Sequence, residues 1–223
     1  MTPEAQPHAF VIAVDGPAAS GKGTLARRLA KHLGYAYLDT GLIYRAVGLA
    51  LIRQNLVHAE PNSALQAARS LSLEALDDPA LRGDDVAGMA SQVAAMPDVR
   101  TALVDYQRTF ARHPPGGVKG VVLDGRDIGT VICPDADAKI FVDASVETRA
   151  NRRVKELQER GVEAIYARVL QDMKERDTRD RSRSVAPMVP AEDAHALDTT
   201  GLDADAAFYK ALEFITSRNM SDA

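Results

Sequence analysis

The chain has no tryptophan and a single cysteine, and aromatic residues make up 5% of its 223 positions. One cysteine, Cys133, excludes an internal disulfide, and such sparing use fits a reducing compartment, here read as the cytoplasm. Its neighbours Ile132 and Pro134 predict an ordinary buried or half-buried thiol. No apolar run approaches the roughly 20 residues a membrane helix needs. The opening MTPEAQPHAF lacks the basic cluster and apolar stretch of a signal peptide and reads as a short arm before the first strand. There is no basic excess either. Lys+Arg at 27 against Asp+Glu at 31 gives a net charge of −4, which argues against general nucleic-acid binding but leaves room for a local basic pocket. No internal repeat, low-complexity tract or obvious apolar surface helix is visible, and the last of these absences favours a monomer.

What is present points to a folded enzyme. Hydrophobic residues reach 46%, enough for one sizeable core over residues 1–223. Phe10–Asp15 (FVIAVD) is a continuous apolar run ending in a carboxylate, the pattern of a strand buried on both faces. Leu25, Leu29 and Leu33 give Lys22–Leu33 a helical spacing, and Gly34 stops it. Tyr35–Leu38, Gly120–Asp124, Lys139–Val142 and a weak segment at Leu197 read as further strands. Thr40 is a candidate cap for a helix from about Leu42 to Arg53, and a last helix is expected near Ala204–Thr216. Alternating strands and helices predict a doubly wound α/β fold, with a parallel five-stranded core sheet flanked by helices. Two regions fall outside that sheet. Residues 61–117 carry Ala-rich helical segments and turn chemistry, and read as an inserted acceptor-binding region. Residues 161–186 read as a mobile helical lid. Their Gly161–Arg183 stretch starts amphipathic (Ile165, Val169, Leu170, Met173) and ends dense in Arg and Asp.

The strongest chemical signal is Gly16-Pro17-Ala18-Ala19-Ser20-Gly21-Lys22-Gly23-Thr24, which follows a strand and opens a helix. That is the context of a P-loop, in which backbone N–H groups and a helix N-terminus cradle phosphates and the lysine reaches the β- and γ-phosphates of ATP. The hydroxyl that usually follows the lysine is displaced: Gly23 stands there, and Thr24 comes one place later. Mg²⁺ is then expected to be held mostly by phosphates and water, with Thr24 and Asp124 as its protein contacts. Asp124 ends a strand, where ligands of open α/β sheets bind. It also begins an Asp-Gly pair, so an ordinary turn is the competing reading.

The GKGT ending resembles the nucleoside monophosphate kinases. Five further stretches narrow the resemblance to the bacterial cytidylate kinases: Leu38–Arg45, Ala90–Ala94 with Arg100, Asp124–Val131, Lys139–Ser145 and Lys174–Pro187. The likeness covers nearly the whole chain. It implies transfer of the γ-phosphate of ATP to CMP or dCMP with Mg²⁺. By matching position, Thr40 is a hydroxyl facing the acceptor, and Arg45 and Arg126 are phosphate contacts. Ser91, Arg100 and Asp127 read cytosine, and Arg176, Asp180 and Arg183 are lid and sugar contacts. The stretch Ser70–Met89 is shorter and more turn-rich than in that family, which predicts a trimmed lobe.

This chemistry is coherent on its own terms. Two anionic substrates need fixed cations, and the guanidinium forks of Arg45, Arg126, Arg176 and Arg183 suit phosphates. Lys22, Arg126, Arg176 and Arg183 are the residues expected to stabilise the transferring charge. On a continuous helix Arg176, Asp180 and Arg183 would share a face at i, i+4, i+7, with Arg179 close by; a solvated helix with i,i+4 ion pairs is the plainer alternative. A carboxylate at Asp127 can accept from cytosine's amine while Arg100 and Ser91 donate to ring acceptors. Three other classes stay open at this stage: a nucleotide-driven switch or motor, a non-catalytic nucleotide-binding module, and a kinase for another nucleoside monophosphate or small metabolite. No Asn-Lys-x-Asp guanine-reading segment is present.

Overall fold

Apolar runs without a polar face must be covered on both sides, and a parallel sheet between helix layers meets that demand. The structure is a computed structural model that describes residues 9–219. The first eight residues of the expected N-terminal arm lie outside the described residues. Strands β1 (Phe10–Asp15), β2 (Ala36–Asp39), β3 (Gly120–Gly125), β4 (Ala138–Asp143) and β5 (His195–Asp198) form one parallel sheet in the order β2-β3-β1-β4-β5. Alternate residues of β1 serve opposite cores. Val11 and Ala13 join one apolar cluster with Ile43, Val47, Leu51 and Leu103, while Ile12 and Val14 join another with Leu25, Leu29 and Ile215.

Helices α1 (Lys22–Leu33) and α8 (Ala204–Asn219) cover the second face. Helix α2 (Thr40–Arg53) covers the first. It starts earlier than the sequence suggests, and Thr40 is its first residue rather than its cap. Asp39 occupies the cap position, and the Thr40 hydroxyl donates instead to the Asp124 carbonyl at 2.8 Å. Residues 61–117 are helical, as expected: α3 (Pro61–Arg69), α4 (Asp84–Val93) and α5 (Pro97–Arg112), with tight 3-10 turns at Leu73–Asp77 and Pro79–Arg82 between the first two. Pro61 and Pro97 open their helices, where a missing N–H costs nothing.

The region after β4 holds α6 (Val146–Glu159) and α7 (Tyr166–Arg181). Ser145 caps α6 by accepting from the Thr148 N–H at 3.2 Å. Two details differ from expectation. Helix α7 begins at Tyr166, so Ile165 precedes it and is exposed; and it ends at Arg181, so Arg183 lies beyond the helix. The helices are tied by a buried fork, in which Arg149 of α6 donates to both carboxylate oxygens of Asp177 on α7, at 3.2 and 2.6 Å.

Removing one partner of such a pair leaves a buried charge uncompensated. Asp177→Ala is therefore expected to cost about 3 kcal/mol in urea unfolding and to raise amide exchange in α7 more than in the sheet. Equal exchange in both regions, with unchanged stability, would show that α7 is held by other contacts.

Candidate active site

The carboxyl ends of the strands form one rim, where Asp39 of β2 lies level with Asp124 of β3. From that rim β1 runs into Gly16, whose φ of 146° is unsuited to L side chains. A Cβ there would also lie 2.0 Å from the Val142 carbonyl oxygen. The chain turns through Ala19, a non-glycine residue at φ 57°, and reaches Gly21 at the start of α1. Two loop carbonyls are held from behind. Ala18 accepts from Arg149 at 3.3 Å, and Ser20 accepts from Arg152 at 3.3 Å and from the Thr199 hydroxyl at 2.8 Å. With no acidic residue in its first turn, α1 presents a positive N-terminus to the cleft.

The expected adjacency of Asp124 and the loop is present, because β3 lies beside β1. Asp124 Oδ1 stands 3.4 Å from Lys22 Nζ, and Oδ2 accepts from the Tyr37 hydroxyl at 3.4 Å. Burial raises the Asp124 carboxyl above its usual range, against the pull of Lys22. Burial, then Arg126, lowers the Lys22 ammonium, against Asp124. The geometry also accounts for Gly23. A Cβ at that position would come within 2.9 Å of Asp124 Oδ2, so a serine or threonine directly after the lysine would have to push the carboxylate aside. Thr24, one place on, is exposed at the cleft.

Asp180 of α7 is the hub of a cation cluster. It accepts from Arg126 Nε at 3.2 Å and from Arg183, and it lies 3.9 Å from Arg176 Nε. The Ser91 hydroxyl donates to its Oδ1 at 3.2 Å, and Arg179 in turn donates to Ser91 at 3.1 Å. Burial disfavours the Asp180 charge, but Arg126, Arg183 and Arg176 together outweigh it and hold the carboxyl below its usual range. Burial and the like charge of Arg126 bring Arg176 down to about 10. Arg183 thus joins the cluster from the segment after the helix.

Arg100 and Asp127 make a buried ion pair, with Arg100 also donating to the Ala94 carbonyl at 3.2 Å and lying over the Tyr44 ring. Burial raises the Asp127 carboxyl in spite of Arg100. Arg45 donates to the Leu81 carbonyl at 2.7 Å, joining α2 to the turn before α4. A cleft of about 640 Å³ is lined by Ala18, Ala19 and Gly21–Thr24 of the loop, by Thr40, Arg45, Ser91, Arg100, Asp124, Arg126 and Asp127, and by Arg176, Asp180 and Arg183, so of the sequence-derived candidates only Gly16, Pro17 and Ser20 stand outside its lining. A hollow of about 750 Å³ between α3 and α5 touches none of them. Sequence reasoning missed Arg149, Arg152 and Thr199, which support the loop from distant segments. It also missed Asp15, directly before Gly16, whose carboxylate accepts from the Ile128 and Gly129 N–H groups at 2.8 Å each.

Comparison with known proteins agrees with this geometry. Residues 12–217 match the family model described as cytidylate kinase. A cytidylate kinase of Paramagnetospirillum magneticum is 62% identical over 93% of this chain and 98% of its own length. One from Methylocella silvestris is 57% identical over 95% and 96%. Among solved structures, an uncharacterized protein from Eubacterium ventriosum superposes with a TM-score of 0.54 at 15% identity, covering 94% of this chain and 99% of that one, which is a likeness of fold.

The Asp180 hub has a definite pH signature. A carboxyl held below its unfolded value contributes stability above the unfolded pKa and loses it as pH falls through the folded one. Asp180→Asn is expected to lower stability by about 3 kcal/mol at pH 7. The gap between wild type and variant should narrow as pH falls below the ordinary carboxyl range. A gap that is constant from neutral to strongly acidic pH would contradict the charge origin of the effect.

Proposed function

The chain belongs to the cytidylate kinase family, and on that premise we propose that it transfers the γ-phosphate of ATP to CMP or dCMP, giving ADP and CDP or dCDP. The observation that carries this reading is the convergence of a P-loop, a buried Arg100–Asp127 pair and an arginine cluster on one cleft. In this reading Gly16–Thr24 hold the ATP phosphates. Arg45 and Arg126 take the acceptor phosphate, and Ser91, Arg100 and Asp127 read cytosine. Thr40 and Asp180 complete the acceptor site. Residues 61–117 form the acceptor-binding insert, and residues 161–186 are a lid that brings Arg176 and Arg183 over the phosphates.

Phosphoryl transfer needs alignment and charge neutralisation rather than a protein nucleophile. An acceptor phosphate oxygen attacks the γ-phosphorus in line with the departing ADP oxygen. Loop N–H groups and Lys22 hold the donor, and the arginines cancel the repulsion between the two substrates. The residues present fit Mg²⁺: Asp124 is a buried carboxylate at the cleft whose Oδ1 has, among the described residues, only the Lys22 ammonium, 3.4 Å away, beside it, and whose Oδ2 lies where a Cβ on Gly23 would come within 2.9 Å. Asp124 and Thr24 would hold the ion, chiefly through water, and it would neutralise charge on the phosphates. Asp127 accepts from the cytosine amine; uracil would set a carbonyl against it, and a buried polar group left unpaired strongly disfavours the wrong base. The reading includes a cytoplasmic monomer acting on small molecules, without nucleic acid or membrane partners; the net charge of −4 supports the part that concerns nucleic acid.

The test is ADP formation from Mg-ATP with CMP, dCMP, UMP, AMP, GMP or no acceptor. Fast turnover with CMP and dCMP, and little without acceptor, is the expected result. Preference for another nucleotide would overturn the base assignment, and rapid hydrolysis without acceptor would favour a switch or motor. Lys22→Ala should lose at least about a hundredfold in kcat, and a near-wild-type rate would refute the role of the loop.

A further inference from the structure

Asp127 stands at the cap position of the short turn Ile128–Ile132, with φ −144° and ψ 26°. An aspartate at such a position ordinarily folds its carboxylate onto the first amides of the turn it begins. Asp127 makes no such bond and reaches Arg100 instead. The amides are satisfied by a different residue. The Ile128 N–H donates to Asp15 Oδ1 and the Gly129 N–H to Asp15 Oδ2, each at 2.8 Å. Asp15 is buried at the end of β1, and its carboxylate lies under this turn although its backbone leads into the P-loop.

The far end of the turn is held as well. Arg108 donates to the Val131 carbonyl at 2.9 Å through Nη2 and to the Ile132 carbonyl at 3.1 Å through Nε. These are carbonyls of the last turn, where helical partners run out. Arg108 and Arg100 both belong to α5, so one helix grips the turn at Asp127 and again at its end.

We propose that Asp15 and Arg108 are positioning residues for base recognition: Asp15 caps the turn in place of Asp127, and Arg108 fixes its far end, so that the Asp127 carboxylate stays turned toward Arg100 and the acceptor base. Without the Asp15 oxygens, the two amides become the nearest donors for the carboxylate of Asp127, which leaves the base to cap its own turn. The inference rests on Asp127 as a reader of cytosine. It predicts that residues without contact to the nucleotide set the CMP/UMP preference.

The experiment compares kcat/KM for CMP and UMP, and KM for ATP, in Asp15→Asn, Arg108→Met, Arg108→Lys and, as a control, Asp127→Asn. Losing one or two hydrogen bonds that hold the turn should lower the CMP/UMP ratio by about tenfold in Asp15→Asn and Arg108→Met. KM for ATP should stay within about twofold of wild type, and Arg108→Lys, which can keep one carbonyl, should recover part of the ratio. If Asp127→Asn collapses the ratio while the other variants leave it unchanged, the positioning role is wrong and the reading of Asp127 stands. If all of them leave it unchanged, the base is read elsewhere and both fail. An equal loss on CMP and UMP is what a merely structural role would give, and counts against the proposal. Arg108 is remote in sequence from the P-loop, so its variants decide the matter if Asp15→Asn does not fold.

Discussion

Two substrates that both carry phosphate repel each other, and a protein that joins them must fix positive charge in advance, at a cost to its own stability. In this acidic chain that charge is gathered around Asp180, where Arg126, Arg176 and Arg183 meet one carboxylate. A single anion among three guanidiniums leaves a surplus of positive charge facing the cleft. The surplus is tolerable because Asp180 is shared among all three and braced by Ser91. In the proposed reading, anionic substrates complete the neutralisation that the protein leaves unfinished.

The rest of the site depends on where the sheet delivers its strand ends. β1 sits between β3 and β4, so the loop it feeds lies next to Asp124 on one side and Val142 on the other. Both neighbours constrain it. Val142 leaves no room for a side chain at Gly16, and a side chain at Gly23 would displace the Asp124 carboxylate. Arg149 links the layers further. It touches the Ala18 carbonyl of the loop and forks Asp177 on α7, so the phosphate cradle and the arginine-bearing helix share one fastener.

Much of this was legible in the chain itself where the information is local. The P-loop is contiguous, and its strand and helix follow from apolar runs and spacing that the structure reproduces at Phe10–Asp15 and Lys22–Leu33. Nearly all the candidate site residues line one cleft. What could not be read locally depends on partners far along the chain. Gly23 looked like a departure from pattern until Asp124 appeared beside it. Thr40 has the chemistry of a cap, but the Asp124 carbonyl claims its hydroxyl. Arg183 would share a face with Arg176 and Asp180 only on a continuous helix, and the helix ends at Arg181, because periodicity does not see where a helix stops. Arg108 and Arg149 carry no local signal at all, since each acts on backbone carbonyls of another segment.

The central claim of the proposed reading is that fixed arginines of the cleft, Arg45 and Arg126 first, hold the acceptor's phosphate. The most direct measurement is calorimetric binding of CMP and of cytidine, which share a base and sugar and differ by that group. Two charge-assisted hydrogen bonds at about 1.5 kcal/mol each correspond to roughly a hundredfold in affinity. CMP should therefore bind at least that much more tightly than cytidine, with the difference shrinking as salt is raised. Equal affinity for the two, at low and high salt alike, would contradict it.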